Sequence, residues 1–197
     1  MAGSPGSEET LASPRPALST GRLGLYIFLA SYAIVFATLV MVVMILRSNS
    51  LDWPPPGAPH LSLPVGLLVT CILLASSAVL YLADRARRRG NHPLFARGTY
   101  LTIALGLLFL AGQIMQFATS GMTIQSGIYG GVFFTLAGFH AAHIVVGLLL
   151  LTGMLNWARL PRPDPSQPRT REAPTAVVVW HFLGVMWLPL FVVLYLL

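Results

Sequence analysis

Five uninterrupted apolar runs, residues 23–46, 61–83, 99–120, 127–158 and 175–197, fill most of this chain, and none contains an Asp, Glu, Lys or Arg. Each meets the ~20 residues that a helix needs to cross a ~30 Å hydrocarbon core at ~1.5 Å per residue. A spanning segment has no water to satisfy its backbone, so helices are the expected form. Only 9% of residues are charged, against about 25% in a soluble domain. The sequence therefore predicts an all-α integral membrane protein of five transmembrane helices, one domain over residues 23–197.

The first run is longer than the ~7–15 apolar residues of a secretion signal, and Arg47-Ser48-Asn49 behind it is not a small-residue cleavage site. Residues 1–22, rich in Ser, Pro and Gly, have too little apolar surface to order themselves and are expected to form a flexible tail. Cys71 is the single cysteine and lies within the second run, so neither a disulfide framework nor a thiolate metal cluster is available.

All 12 basic residues are arginines, and they sort by side. If the runs alternate across the membrane, Arg15, Arg22, Arg85, Arg87, Arg88, Arg89, Arg97, Arg159, Arg162, Arg169 and Arg171 share one side, and only Arg47 lies on the other. Short loops rich in Arg stay in the cytoplasm, which places the N-terminus inside and the C-terminus outside. Basic residues spread between apolar spans form no nucleic-acid face. The cluster Arg87, Arg88, Arg89 is placed to meet anionic lipid head groups.

Ionisable groups inside a membrane are costly and suggest function. Within the runs the candidates are Gln113 and Gln116 in the third, His140 and His143 in the fourth, and His181 in the fifth. With no membrane carboxylate or cation, an ion-coupled transporter or proton pump built from this chain alone is disfavoured. A haem held by His181 with His140 or His143 is the sharpest chemical alternative, a small b-type cytochrome. Counted from the inner ends of their runs, His143 lies ~21 Å deep and His181 ~9 Å, levels that do not suit one iron. The plainer reading gives the histidines interhelical hydrogen bonds.

Small residues four apart, Gly127 and Gly131, Ala137 and Ala141, Gly138 and Ala142, permit a close helix approach. In the last run Trp180, Gly184 and Trp187 share a face, and the Trp187 indole N–H, near mid-membrane, needs a protein partner. Pro189 removes one backbone hydrogen bond from that helix and is expected to kink it.

Two stretches are more specific: residues 127–143, GIYGGVFFTLAGFHAAH, and Trp180-His181-Phe182 with Trp187. They resemble the penultimate and last helices of subunit III of the haem-copper respiratory oxidases, with its YGxxFFxxTGFHGxHVxxG and WHFVDxVW patterns. Gly24 to Ser31 is similar to that family's GxxxFLxS helix start, Trp53-Pro54-Pro55 to its WPP loop, and Leu105-Gly106 with Gln113 to its LGxxFxxxQ helix. The chain looks like the five-helix form. It departs from the pattern at four carboxylates, which are Tyr32, Gln116, Ser126 and Gly184 here.

The resemblance implies a subunit without redox centres in a terminal oxidase that reduces dioxygen to water. Haems and copper are then expected in the partner catalytic subunit, subunit I, with subunit II and a small subunit IV as further partners and bound phospholipid. Gln113, Gly138, Phe139, His140, His143, Trp180, His181 and Trp187 are expected to serve helix packing and polar contacts, with no catalytic or metal-binding residue. A subunit-III-like protein associated with nitric oxide reductase shares these motifs and stays open as an alternative.

Overall fold

The computed structural model describes residues 20–55, 61–121, 123, 126–159 and 174–196. They form five helices: α1 (Thr20–Ser48), α2 (Leu63–Arg88), α3 (His92–Thr119), α4 (Gly127–Arg159) and α5 (Thr175–Phe191), the last continued by a π-helical turn over Val192–Leu196. All five are long and apolar enough to cross a membrane. The chain is a multi-pass membrane protein.

The helices outrun the apolar runs mainly at the arginine-bearing end, since a backbone that leaves hydrocarbon still gains by closing its own hydrogen bonds. Thus α2 continues five residues past Ala83, and α3 starts at His92. Between them Gly90 turns the chain with a φ of +81°. Asn91 caps α3 by accepting a hydrogen bond from the Leu94 N–H at 3.1 Å, and Pro93 occupies the first turn, where no N–H is missed. Of the expected tail 1–22, only 20–22 fall among the described residues, and there α1 has already begun. The connection carrying Arg162, Arg169 and Arg171 lies outside them.

The tight turn makes α2 and α3 an antiparallel hairpin with the most extensive contact in the bundle. Glycine sets the spacing. A Cβ on Gly98 would lie 2.6 Å from the Ala83 Cβ, and one on Gly112 would lie 2.5 Å from Val69. Helix α5 is the hub, with neighbours in α1, α2 and α4, and half of its most apolar stretch is buried. Helix α1 is the outlier, touching only α5 and, more thinly, α4 among its closer contacts. Pro189 lies inside α5, and the π-helical turn begins three residues later, at Val192.

Candidate functional site

The buried polar side chains hold α5 in place. The Trp180 indole N–H donates to the Ser76 hydroxyl at 3.1 Å, and Ser76 donates to the Leu73 carbonyl one turn back. Trp187 donates to Thr70 at 2.9 Å, and Thr70 donates to the Gly66 carbonyl. The partner that Trp187 needs is therefore Thr70. Further along, the Tyr195 hydroxyl donates to Gln116 Oε1 at 2.6 Å, and Gln116 Nε2 donates to the Ser62 carbonyl at 3.1 Å. Three rungs at three depths tie α5 and its π-helical end to α2 and α3.

Trp180 also fills a slot between two other helices. A Cβ on Gly106 of α3 would come within 2.6 Å of its ring, and one on Gly147 of α4 within 3.1 Å. Gly184 lies against Ser77 of α2, whose hydroxyl would be 2.9 Å from an added Cβ. These inward glycines differ from the pairs on α4: an added Cβ on Gly127, Gly131 or Gly138 meets nothing within 4 Å. The notches at those three face away from the other described helices, and none of these fills them.

His140 is fully buried and neither ring nitrogen has a hydrogen-bond partner. It sits among Trp187 (ring centroids 5.0 Å apart), Phe36 (6.1 Å) and Phe109 (6.2 Å), one ring from each of α5, α1 and α3. The interhelical hydrogen bond expected of it is absent; aromatic packing takes its place. Gln113, 2% exposed, likewise has no partner for either amide atom. His143 is half-buried, and its Nδ1 donates to the Phe139 carbonyl of its own helix at 2.7 Å. Phe139 is 38% exposed on the same flank.

The structure corrects the depth count of the histidines. Gly147 packs on Trp180 and Leu183, which brings His143, four residues along α4, to about one helical turn (~6 Å) from the level of His181. Their separation is around the bundle rather than along it. His143 packs on Tyr32 of α1 at 4.3 Å, whereas His181 lies within electrostatic range of Asp84 of α2. Among the described residues no three His, Cys, Asp or Glu side chains gather as metal ligands.

Asp84, one residue past the second run, is a buried carboxylate that sequence reading passed over. It is 5% exposed and accepts from Arg87 Nε and Arg88 Nε at 2.8 Å, one through each oxygen. Two members of the Arg87, Arg88, Arg89 cluster are thus partly neutralised from below; Arg85 and Arg89 are exposed. A carboxylate three or four residues ahead of a basic run was the available signal.

The four positions that depart from the acidic pattern all have structural work. Ser126 accepts from the Thr123 N–H at 2.9 Å ahead of α4, Gln116 bridges Ser62 and Tyr195, Gly184 admits Ser77, and Tyr32 packs on His143, Phe36 and Phe182. Trp53 lies edge-on to Tyr129 at 5.2 Å and fastens the connection between α1 and α2 to α4. Between α1 and α5 runs an apolar groove of about 340 Å³, walled by Phe36, Ala37, Val40 and Met41 on one side and Met186, Pro189 and Leu190 on the other.

Residues 12–197 match the family model described as cytochrome c oxidase subunit III. The chain is 33% identical over 175 residues to cytochrome c oxidase subunit 3 of Thermostichus vulcanus, covering 89% of this chain and 86% of that one. It is 36% identical over 182 residues to the subunit 3 of Corynebacterium diphtheriae, covering 88% and 86%. The subunit 3 of Ornithorhynchus anatinus is 38% identical over 144 residues, covering 73% of this chain and 54% of the longer relative.

Proposed function

The chain belongs to the cytochrome c oxidase subunit III family, and we propose that it docks on the catalytic subunit through the outer face of α4 and holds phospholipid between α1 and α5. It is a non-catalytic accessory subunit of a haem-copper oxidase of the respiratory chain. In this reading the haems and copper reside in subunit I, and subunit II and a small subunit IV complete the complex. The membrane is the bacterial inner membrane, with the N-terminus and the arginine-bearing loops in the cytoplasm, as the distribution of arginine favours. The relatives named above are all oxidase subunits, which favours this partner over a nitric oxide reductase.

The observation that carries the docking surface is Gly138, a glycine in mid-helix at which an added Cβ would meet none of the described residues within 4 Å. Glycine within a spanning helix serves close helix approach, and none of the five described helices makes that approach here. The groove between α1 and α5 suits an acyl chain: its walls are aliphatic, aromatic and thioether groups, and Ala37, Met41 and Pro189 open it to the surrounding lipid. Arg85, Arg88 and Arg89 are exposed at the end of α2, where they can meet a head-group phosphate.

Purification of the chain in mild detergent, with mass spectrometry of co-eluting proteins and lipids, tests both halves. A haem-copper catalytic subunit in equal amount and retained phospholipid are the expected result. A solitary chain, or one that co-elutes with a different reductase, would refute the assignment.

A further inference from the structure

We propose that Gln113 and His140 hold an internal water in the interior of the bundle, where α3, α4 and α5 meet.

The two side chains carry four buried polar atoms without a hydrogen-bond partner among the described residues, Nε2 and Oε1 of Gln113 and Nδ1 and Nε2 of His140. Gln113 is 2% exposed and His140 0%. Buried polar groups in folded proteins almost always find a partner, and a bare one is costly where no solvent competes. The Tyr195 hydroxyl also approaches Gln113, but its hydrogen goes to Gln116 Oε1 at 2.6 Å and no bond to Gln113 forms.

The antiparallel register of α3 and α4 brings these atoms to one place. Phe109 of α3 faces His140 at 6.2 Å, and Phe117 faces Phe133 at 5.0 Å. Gln113 lies midway between the two phenylalanines on the same flank of α3, about one turn (~6 Å) along the axis from the level of His140. On α4 the stretch opposite it, between Phe133 and His140, contains Ala137, a small buried side chain that leaves room. Helical side chains lean toward the N-terminus of their own helix. On these antiparallel helices Gln113 leans toward Phe109 while His140 leans back toward the level of Gln113, so the two tips converge. Trp187 closes the α5 side, its ring 5.1 Å from Phe109 and 5.0 Å from His140. Its N–H is already given to Thr70.

The chemistry of the four atoms selects the occupant. The amide supplies donors and a carbonyl oxygen, and a neutral imidazole supplies one donor and one acceptor. Water donates and accepts, so it serves the amide and either tautomer of the ring, as internal waters do for otherwise unsatisfied groups. A cation would stand unbalanced in hydrocarbon, since none of the five apolar runs holds a carboxylate. The rings of Phe36, Phe109 and Trp187 around His140 crowd out a larger molecule.

Hydroxyl-radical footprinting by X-ray pulse on the full chain in detergent tests this, because a bound water is split in place and oxidises the side chains around it. Trp187 and Trp180 make the comparison: both are buried indoles with their N–H bonded, and they lie ~10 Å apart along α5. Trp187 should be oxidised and Trp180 spared. Gln113→Met combined with His140→Phe, which keeps the shapes and removes the polar atoms, should bring Trp187 down to the level of Trp180. If that pair of changes prevents folding, Gln113→Met alone should lower the oxidation of Trp187. Equal oxidation of the two indoles in the native chain overturns the proposal, as does a Trp187 signal unchanged in the folded variants. An atomic-resolution map with Gln113 bonded directly to His140 overturns it too.

Discussion

Gln116 stands where the family pattern has an acid, and its geometry explains why an amide serves. It must donate to the Ser62 carbonyl while accepting from Tyr195. A carboxylate can do the second but not the first; a protonated acid can do both. Gln116→Glu is therefore expected to fold well at low pH and to lose stability as pH rises. The sign follows from linkage: the folded state holds the proton more tightly than the unfolded chain, so unfolding releases it and raising pH favours unfolding. Thermal unfolding in micelles across pH 4 to 8 checks this; a flat profile identical to that of the native chain would contradict it. For Trp187 the expectation is smaller. Replacing it by Phe keeps most of the packing around His140 but removes the bond to Thr70, a loss of about 0.6–1.7 kcal/mol. Thr70→Ala added to that variant should cost little more, because the partner has already gone.

At the scale of the element, glycines of one residue type do opposite work according to the face they occupy. Gly106 admits the Trp180 ring, so Gly106→Leu should overpack the α3–α5 contact and lower the stability of the isolated bundle by about 1–3 kcal/mol. Gly138 admits none of the described residues, so Gly138→Leu should leave that stability unchanged and weaken attachment to the catalytic subunit, as co-purification yield would show. Equal yields for Gly138→Leu and the native chain would place the docking face elsewhere. The sequence made the five spans and their order legible because hydrocarbon demands long uncharged runs. It could not say which face of a run turns inward, since a helix apolar all round has no polar stripe to mark the outside. Hence the small-residue spacing on α4 was visible while its direction was not; Gly106 stood out only as part of a motif, and Gly98, Gly112 and Gly147, each identified only by the side chain that meets it, went unread. Asp84 escaped because it falls one residue beyond an apolar run, although α2 carries it into the buried layer. The relative levels of His143 and His181 are set by the packing of Gly147 on Trp180 and Leu183, a contact between distant residues that run boundaries do not reveal.

For the molecule as a whole, the order of the chain and the order of the contacts run against each other. Helices α2 and α3 close on themselves through a short turn, but α1 has no such neighbour in sequence and finds its seat on α5 and α4, the last two helices. The indole donors of α5 complete the hydroxyls of α2, and its Tyr195 completes Gln116 of α3. One wall of the groove assigned to lipid is also α5. A chain stopped after residue 174 keeps four spans and all of its hairpin, yet loses every contact made by α5 and leaves α1 only its thinner contact with α4. Such a truncation should insert in the membrane, leave α1 accessible to protease or to thiol labelling at an introduced cysteine such as Phe36→Cys, and retain no phospholipid beyond that of the surrounding detergent. In the full chain the same cysteine should stay unlabelled, because Phe36 is completely buried. Equal protection of position 36 in both would mean that α1 is held by α4 alone, and the thin contact between those two helices would have to be stronger than its extent implies.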